Sequence, residues 1–222
     1  PLVRDKGAGE PMVLMPPPNP DIDDDVAGST PERDKVVLRG EKASRAVARF
    51  AAGQASLVLG GRFSDLPIAR AAAPRRQELR FDPVSGLFGL VVMERKGFLG
   101  RAENRRALAM AIDRARIAAG FGVPDWQAAS TIVAPGAPDL SEPMQPGWID
   151  SDMALRRKDA AAAVAFWRKT NPDDPVRLRI AMPEGPGGRM LFAYLRADFR
   201  AIGVDAVRVD SKADAELRLI DE

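Results

Sequence analysis

Residues 86–123 read GLFGLVVMERKGFLGRAENRRALAMAIDRARIAAGFGV. The apolar run Leu87–Val92 is typical of a buried strand. From Ala102 onward the apolar residues recur at helical spacing, and Gly120 and Gly122 are expected to end the helix. One face carries Leu108, Ala111, Ile112 and Ala115, whereas Arg105, Arg106, Asp113 and Arg116 belong to a mostly solvated face. We therefore expect a strand, a short loop and one long amphipathic helix, with the rest of the chain arranged on either side.

Upstream of this stretch, strand and helix patterns alternate. We expect a hairpin or two linked strands in Pro1–Met15, an exposed loop in Pro16–Asp34, a strand in Lys35–Arg39, a helix in Glu41–Ala52 and a buried strand in Ser56–Leu59. This order predicts a right-handed crossover in a parallel or mixed sheet. Open α/β sheets bind ligands beyond the carboxyl ends of such strands, which makes Gly60, Gly61, Arg62 and Phe63 candidate contacts. The alternative is a simple strand-to-turn glycine pair.

The second half again alternates helix and strand. Pro124–Gly147 is rich in proline and is expected to be a long loop, a kind of segment that is often functional. The other elements expected are a short strand ending near Arg80, the helix Asp159–Lys169, the strand Val176–Met182, a glycine-rich turn at Pro183–Gly188, the helix Arg189–Ile202 and the strands Val204–Val209 and Glu216–Ile220.

Composition excludes several classes of function. The chain has 222 residues, 45% of them hydrophobic, which is enough for a sizeable core. The 33 Lys and Arg residues nearly balance 31 Asp and Glu residues, so the charge excess expected of a dedicated nucleic-acid binder is missing. The absence of Cys and His excludes thiol nucleophiles, disulfides, the usual zinc sites and a Ser-His-Asp triad. No apolar run approaches the roughly 18 to 20 residues that cross a bilayer. The start at Pro1 has neither an initiator Met nor a signal peptide, so we expect a processed or excised piece.

Two patterns favour chemistry only weakly. The segment PEGPGGRM, residues 183–190, places glycines before a helix as phosphate loops do, but it lacks a Gly-Lys-Ser/Thr ending and the GxGxxG spacing. An acid–base pair would be formed by Glu94 with Glu103, or by Asp150 with Asp152, although surface carboxylates are the default.

A third pattern predicts DNA binding as the alternative function. Residues 109–130, AMAIDRARIAAGFGVPDWQAAS, have the outline of a helix-turn-helix whose recognition helix would begin near Pro124. That helix would be barely two turns long. No Arg or Lys lies between Val123 and Gly147 to reach phosphates or bases. A helix-turn-helix regulator therefore remains the second hypothesis, and an enzyme that uses Arg and carboxylates the third.

The segment FLGRAENRRALAMAIDRARI, residues 98–117, resembles a signature of the family 5 extracellular solute-binding proteins, the peptide and nickel class that serves ABC importers. That family carries P-F-x-x-x-x-V-R-x-A-L-x-x-A-I-D-R here, and the matching residues are Phe98, Arg106, Ala107, Leu108, Ala111, Ile112, Asp113 and Arg114. Leu87–Met93 is similar to the strand that enters the family's last lobe, without its usual Asn. Lys158–Trp167 and Arg189–Val209 resemble later elements. The resemblance runs from about Lys35 onward and covers the middle-to-late part of such a protein.

The resemblance implies an α/β fold of the periplasmic-binding-protein type II, incomplete, with mixed sheets flanked by helices. Residues 1–85 would form part of the hinge-proximal lobe, and residues 86–222 most of the second ligand-closing lobe. Such a protein captures a peptide or a similar small solute in an interlobe cleft and delivers it to an ABC permease. It performs binding rather than catalysis, with no catalytic residue, metal ligand or cofactor.

Candidate ligand contacts follow from the interlobe edge that the resemblance implies. They are Phe88 and Leu90 on the crossing strand, Ile132 on the Pro-rich loop, and Arg62; ordinary packing is the alternative for each. The acidic residue that pairs with a peptide amino terminus in this family lies beyond the last element present. We expect a periplasmic monomer whose partners are a peptide or small-molecule ligand and a membrane permease, and no nucleic acid.

Overall fold

The computed structural model describes residues 11–14, 36–72, 79–81, 86–124, 126–132 and 143–221. The chain divides into two compact units, Pro1–Gly60 and Gly61–Glu222. This division lies upstream of the boundary expected after residue 85, and the assignment of lobes stays a prediction. The expected loop Pro16–Asp34 and the apolar pair Leu2–Val3 lie outside the described residues.

The described residues of the first unit, 11–14 and 36–60, form two short strands and one helix. Strand β1, Met12–Leu14, pairs antiparallel with β2, Val36–Leu38, and is followed by helix α1, Ala43–Ala51. The strand expected in Ser56–Leu59 is wrong, since these residues form no strand and Leu57 and Leu59 are 65% and 77% exposed. The predicted crossover fails with it, because the strand paired with β2 is β1. An apolar run forms a buried strand only where a neighbouring strand and a core receive it.

The second unit begins with helix α2, Leu66–Ala72, which the sequence analysis did not predict. Strand β3, Phe88–Val92, is followed by a 3₁₀ turn at Gly97–Gly100. The remaining elements are α3, Ala102–Ala111; α4, Arg114–Phe121; α5, Met153–Thr170; β4, Arg177–Met182; α6, Pro186–Ala201; β5, Asp205–Asp210; and β6, Leu217–Asp221. The strands and helices expected after residue 150 are confirmed, while the strand expected near Arg80 is absent from residues 79–81.

The four strands of this unit form one mixed sheet in the order β3-β6-β4-β5. Strand β4 is parallel to both β5 and β6, whereas β3 is antiparallel to β6. Central β4 ends in fully buried residues, and helices α3 and α5 pack on each other. The core includes Phe98, Leu108, Phe121, Val164, Ile180, Met182, Leu195, Phe199 and Val204. Within the described chain, no helix is both long and apolar enough to span a bilayer.

The long helix expected after residue 102 is two helices, with a break at Ile112 and Asp113. The Asp113 carboxylate caps α4 by accepting a hydrogen bond of 3.0 Å from the Arg116 backbone N–H. The Arg114 guanidinium donates to the carbonyls of Ala109 and Ile112 at 2.9 and 3.3 Å, which satisfies the end of α3. An Asp that caps a new helix competes with continuation of the old one. The apolar face is therefore buried through Ala111 but not at Ala115, which is exposed.

The segment after α4 does not support the helix-turn-helix. Gly122 ends α4 in a left-handed conformation with a φ of 55°. Residues 124 and 126–132 form neither helix nor strand. A recognition helix starting near Pro124 is thus absent from the part of this segment that the structure describes.

Candidate ligand-binding edge

One end of the mixed sheet gathers the carboxyl ends of its parallel strands. Strands β4 and β6 run in the same direction and end at Met182 and Asp221. Phe88, the first residue of antiparallel β3, lies opposite Asp221, so β3 starts at this same end. We call this end the carboxyl edge. In open α/β sheets, ligands bind outside the carboxyl ends of the strands.

Four aromatic rings meet at the carboxyl edge. Phe88 contacts Phe63 and Trp126 with ring centroids 4.9 and 5.1 Å apart, and Phe121 contacts the same two rings at 6.0 and 5.6 Å. All four pairs are edge-to-face, a geometry that adds about 0.5 to 1.5 kcal/mol per pair beyond area burial. Phe121 is fully buried, whereas the other three rings are partly exposed. These four residues, here the aromatic cluster, offer an apolar surface to a ligand.

Glycines at the start of α6 allow Phe63 to reach the cluster. The Gly187 N–H donates to the Ser64 carbonyl at 2.8 Å. A Cβ on Gly187 would lie 2.1 Å from the Phe63 carbonyl oxygen, and one on Gly185, whose φ is 104°, would lie 2.8 Å from the Ser64 oxygen. Only residues without a side chain permit this approach of two backbones. The glycine-rich turn therefore binds the chain's own carbonyl where a phosphate loop would hold its ligand.

The four predicted contacts are placed differently by the structure. Phe88 is in the aromatic cluster. Arg62 is exposed and directly precedes Phe63. Leu90 is half-buried, packs against the core and lies opposite Leu219. Ile132 is 83% exposed. All four roles remain predictions, and no ring contact or hydrogen bond joins Arg62 or Ile132 to the cluster in the described chain.

Phe121 and Trp126 are the cluster members that the sequence analysis did not propose as contacts. A large aromatic residue shortly after a predicted helix, in a proline-rich loop, was the available signal for Trp126. Periodicity gave no reason to choose Trp126, because its ring partners come from β3 and from α4. Its half-buried position and two ring contacts now make it the cluster residue best suited to report on a ligand.

At the other end of α4, a buried carboxylate ties three helices together. Asp198 of α6 is 0% exposed and accepts from the Asp113 backbone N–H at 3.0 Å. It also accepts from Arg116 of α4 at 2.6 Å and from Arg157 of α5 at 2.7 Å. The expectation that Asp113 and Arg116 belong to a merely solvated face is thus corrected. The A-I-D-R part of the signature acts as scaffold: it breaks a helix and fixes the break to α6.

Comparison with known families addresses the resemblance directly. The model described as "Bacterial extracellular solute-binding proteins, family 5 Middle" matches residues 19–215. The chain belongs to this family. The resemblance carried by residues 98–117 is therefore confirmed. A search of curated proteins finds no significant match.

Solved structures of family 5 proteins share the fold. The Escherichia coli murein tripeptide-binding protein MppA superposes with a TM-score of 0.65 at 16% identity, covering 99% of this chain and 44% of MppA. NikA from Brucella suis, in complex with Fe(III)-EDTA, gives 0.64 at 14% identity, covering 98% and 46%. OppA from Burkholderia pseudomallei gives 0.61 at 19% identity, covering 97% and 44%. The predicted α/β solute-binding fold is confirmed, and the chain spans less than half the length of these proteins.

The carboxylates considered for acid–base chemistry have other surroundings in this family 5 chain. Asp152 caps α5 by accepting from the Leu155 N–H at 2.8 Å. Glu94 is exposed and 3.9 Å from the Lys96 ammonium. No group of three or more potential metal ligands occurs among the described residues.

A small cleft of about 230 Å³ lies at the opposite edge of the sheet, lined by residues that include Glu94, Asp174 and Glu216. Burial raises the pKa of Glu216, but hydrogen bonds from Arg179 outweigh it and lower the pKa below the usual value of a glutamate. The Arg179 backbone N–H and its guanidinium each donate to the Glu216 carboxylate at 2.7 Å. An ionised glutamate already held by an arginine is a poor proton donor at neutral pH.

Proposed function

We propose that this chain is part of a periplasmic solute-binding protein that captures a peptide or a similar small solute and delivers it to an ABC permease. Family membership supports the class of function. The observation that carries the proposal for this chain is the aromatic cluster at the carboxyl edge, which would form one wall of the binding cleft in the complete protein. Solved relatives include a nonapeptide complex of AppA from Bacillus subtilis and the murein tripeptide-binding protein, which supports a peptide ligand.

The chemistry of such a wall is non-covalent. Phe63, Phe88 and Trp126 would bury apolar groups of the ligand, a gain of about 25 cal/mol for each Å² removed from water. Arg62, exposed beside Phe63, would supply a cation near the rim, and Ile132 further apolar area. Leu90 packs against the core, so it would support the position of Phe88 without contacting the ligand itself. Residues 86–222 would form most of the ligand-closing lobe that carries this wall, joined by Phe63, and the earlier residues would form part of the hinge-proximal lobe.

A ligand screen on the full-length protein that carries this chain tests the proposal. Thermal unfolding is measured with a panel of di- to pentapeptides, with free amino acids and disaccharides as comparison sets. A ligand that binds only the folded state raises the Tm with the logarithm of its concentration once that exceeds Kd. We expect at least one class of peptide to raise the Tm in this way. A stable protein whose Tm rises with none of the peptides would contradict the proposal of a peptide ligand.

A further inference from the structure

Two arginines flank one buried tryptophan in the second unit. Trp148, in the loop before α5, is 7% exposed. The guanidinium carbon of Arg114, the first residue of α4, lies 5.7 Å from its ring centroid, and that of Arg156 in α5 lies 5.6 Å from it. Both arginines are half-buried. We call Arg114 and Arg156 the arginine pair.

No carboxylate among the described residues compensates the positive charge of the arginine pair. Among the described residues, neither guanidinium has a carboxylate within ion-pair distance. The nearby Arg116 and Arg157 instead share Asp198. Desolvation by burial, together with repulsion from Arg156, lowers the pKa of Arg114. Two like charges held together in a partly buried place create a positive potential that attracts an anion.

The arginine pair also has hydrogen-bond donors without an acceptor among the described residues. Arg114 uses one terminal nitrogen for the carbonyls that end α3. The Arg156 Nε is buried and, within the described part of the chain, has no hydrogen-bond partner. A guanidinium has five N–H donors in a planar fork that matches two oxygens of one anion. A buried donor without a partner destabilises the protein, and a hydrogen bond to a bound oxygen would remove this cost.

We propose that Arg114 and Arg156, seated on Trp148, form a binding site for a small oxyanion of the phosphate or carboxylate type. The site is separate from the aromatic cluster, since Arg114 and the cluster residue Phe121 are opposite ends of α4, about 10 Å apart along the helix. Both guanidinium groups lie within cation–π distance of the Trp148 ring, and this attraction holds each of them near the indole. The oxyanion neutralises the pair and bridges the start of α4 to the start of α5.

The test compares oxyanions at constant ionic strength on the full-length protein. Thermal unfolding is followed during titration with sodium phosphate, and separately with sodium succinate, while sodium chloride keeps the ionic strength fixed. We expect a rise in Tm that grows with the logarithm of the oxyanion concentration above Kd. A response to phosphate alone indicates a phosphoryl ligand, and one to succinate alone a carboxylate ligand. No rise beyond chloride in either arm would overturn the site.

The variants R156Q and R106Q distinguish oxyanion binding at this site from a general effect of surface charge. Arg156→Gln removes one half of the pair and should weaken the apparent affinity by about tenfold or more. Arg106→Gln removes an exposed arginine of α3 and should leave it unchanged. If R156Q does not fold, Arg156→Lys replaces it, because Lys keeps the charge but lacks the planar fork and should still lose most of the response. An equal response in wild type and the Arg156 variant, or an equal loss in R106Q, would overturn the proposal.

Discussion

Asp198 shows how much of this fold depends on one side chain. A carboxylate that is 0% exposed holds two guanidinium groups and a backbone N–H, and these come from α4, α5 and the break between α3 and α4. The cost of burying the charge is offset only because every partner is present. Arg116 also stacks on the Tyr194 ring at 5.3 Å, which fixes its position further.

Replacing Asp198 by Asn should therefore destabilise the protein. We expect a loss of about 2 to 3 kcal/mol in the free energy of unfolding, at the low end for buried pairs because both arginines stay partly exposed. Urea denaturation measures it. Asp159→Asn, on the exposed side of α5, is the matched control and should stay within about 0.5 kcal/mol of wild type. Equal stability of D198N and D159N would show that the carboxylate does not hold the three helices together.

At the residue scale, the sequence predicted two members of the aromatic cluster: Phe88 at the start of a strand, and Phe63 after a strand expected in Ser56–Leu59 that the structure does not form. Phe88 stands at the start of a clear apolar run, so its place at a sheet end could be predicted. Trp126 belongs to a loop without periodicity, and its two ring contacts arise from long-range packing. Tertiary contacts of this kind leave no local signal in a single sequence.

At the scale of elements, the start of α6 explains the glycines of residues 183–188. Helix α6 begins at Pro186, and the backbone of Phe63 and Ser64 lies against its first turn. Gly188 has a similar constraint, because a Cβ there would lie 2.3 Å from the Pro183 carbonyl oxygen. The glycines thus dock one segment of chain on a helix, and they bring Phe63 to the carboxyl edge.

Gly187→Ala tests this docking. Helix propensity alone favours Ala by about 1 kcal/mol, but the Cβ would collide with the backbone of Phe63. We expect the steric clash to outweigh the gain in helix propensity and to destabilise the protein by about 2 to 3 kcal/mol in thermal or urea unfolding. Gly147→Ala is the control: nothing lies within 4 Å of its Cβ, so it should be neutral or slightly stabilising. A G187A protein as stable as G147A would contradict the close approach.

Local periodicity predicted some elements of the chain correctly and others wrongly. Amphipathic α5 and α6 and the alternating strand β4 were predicted because their burial follows a local period. The break in the 102–121 helix was missed because Asp113 on its own is compatible with a continuous helix; the break is decided by Asp198, distant in sequence. Residues 56–59 were assigned to a strand on their apolarity alone, and they have no neighbouring strand in the described chain.

At the scale of the whole molecule, the two units differ in how much core they have. Every buried hydrophobic residue in the described chain belongs to residues 61–222. The described residues of the first unit are exposed or half-buried, including Val36 and Val37, which are 52% and 51% exposed. The stability of the chain should therefore reside in the second unit.

A protein consisting of residues 61–222 should unfold cooperatively by itself. We expect its Tm to stay within about 3 °C of that of the 222-residue chain, which corresponds to less than about 1 kcal/mol for this size. Differential scanning calorimetry measures both. A broad, non-cooperative transition of residues 61–222 would show that the first unit supplies essential packing.

The proposed function depends most on contact between the solute and the aromatic cluster at the carboxyl edge. Calorimetric titration of the full-length protein with the best peptide from the screen, in wild type, Trp126→Leu and Phe166→Leu, tests it most directly. Phe166 is an aromatic residue of α5 that is 58% exposed and lies outside the cluster. Loss of the Trp126 ring should weaken binding about tenfold or more, and F166L should bind as wild type. A folded W126L protein with wild-type affinity, or an equal loss in F166L, would contradict the account.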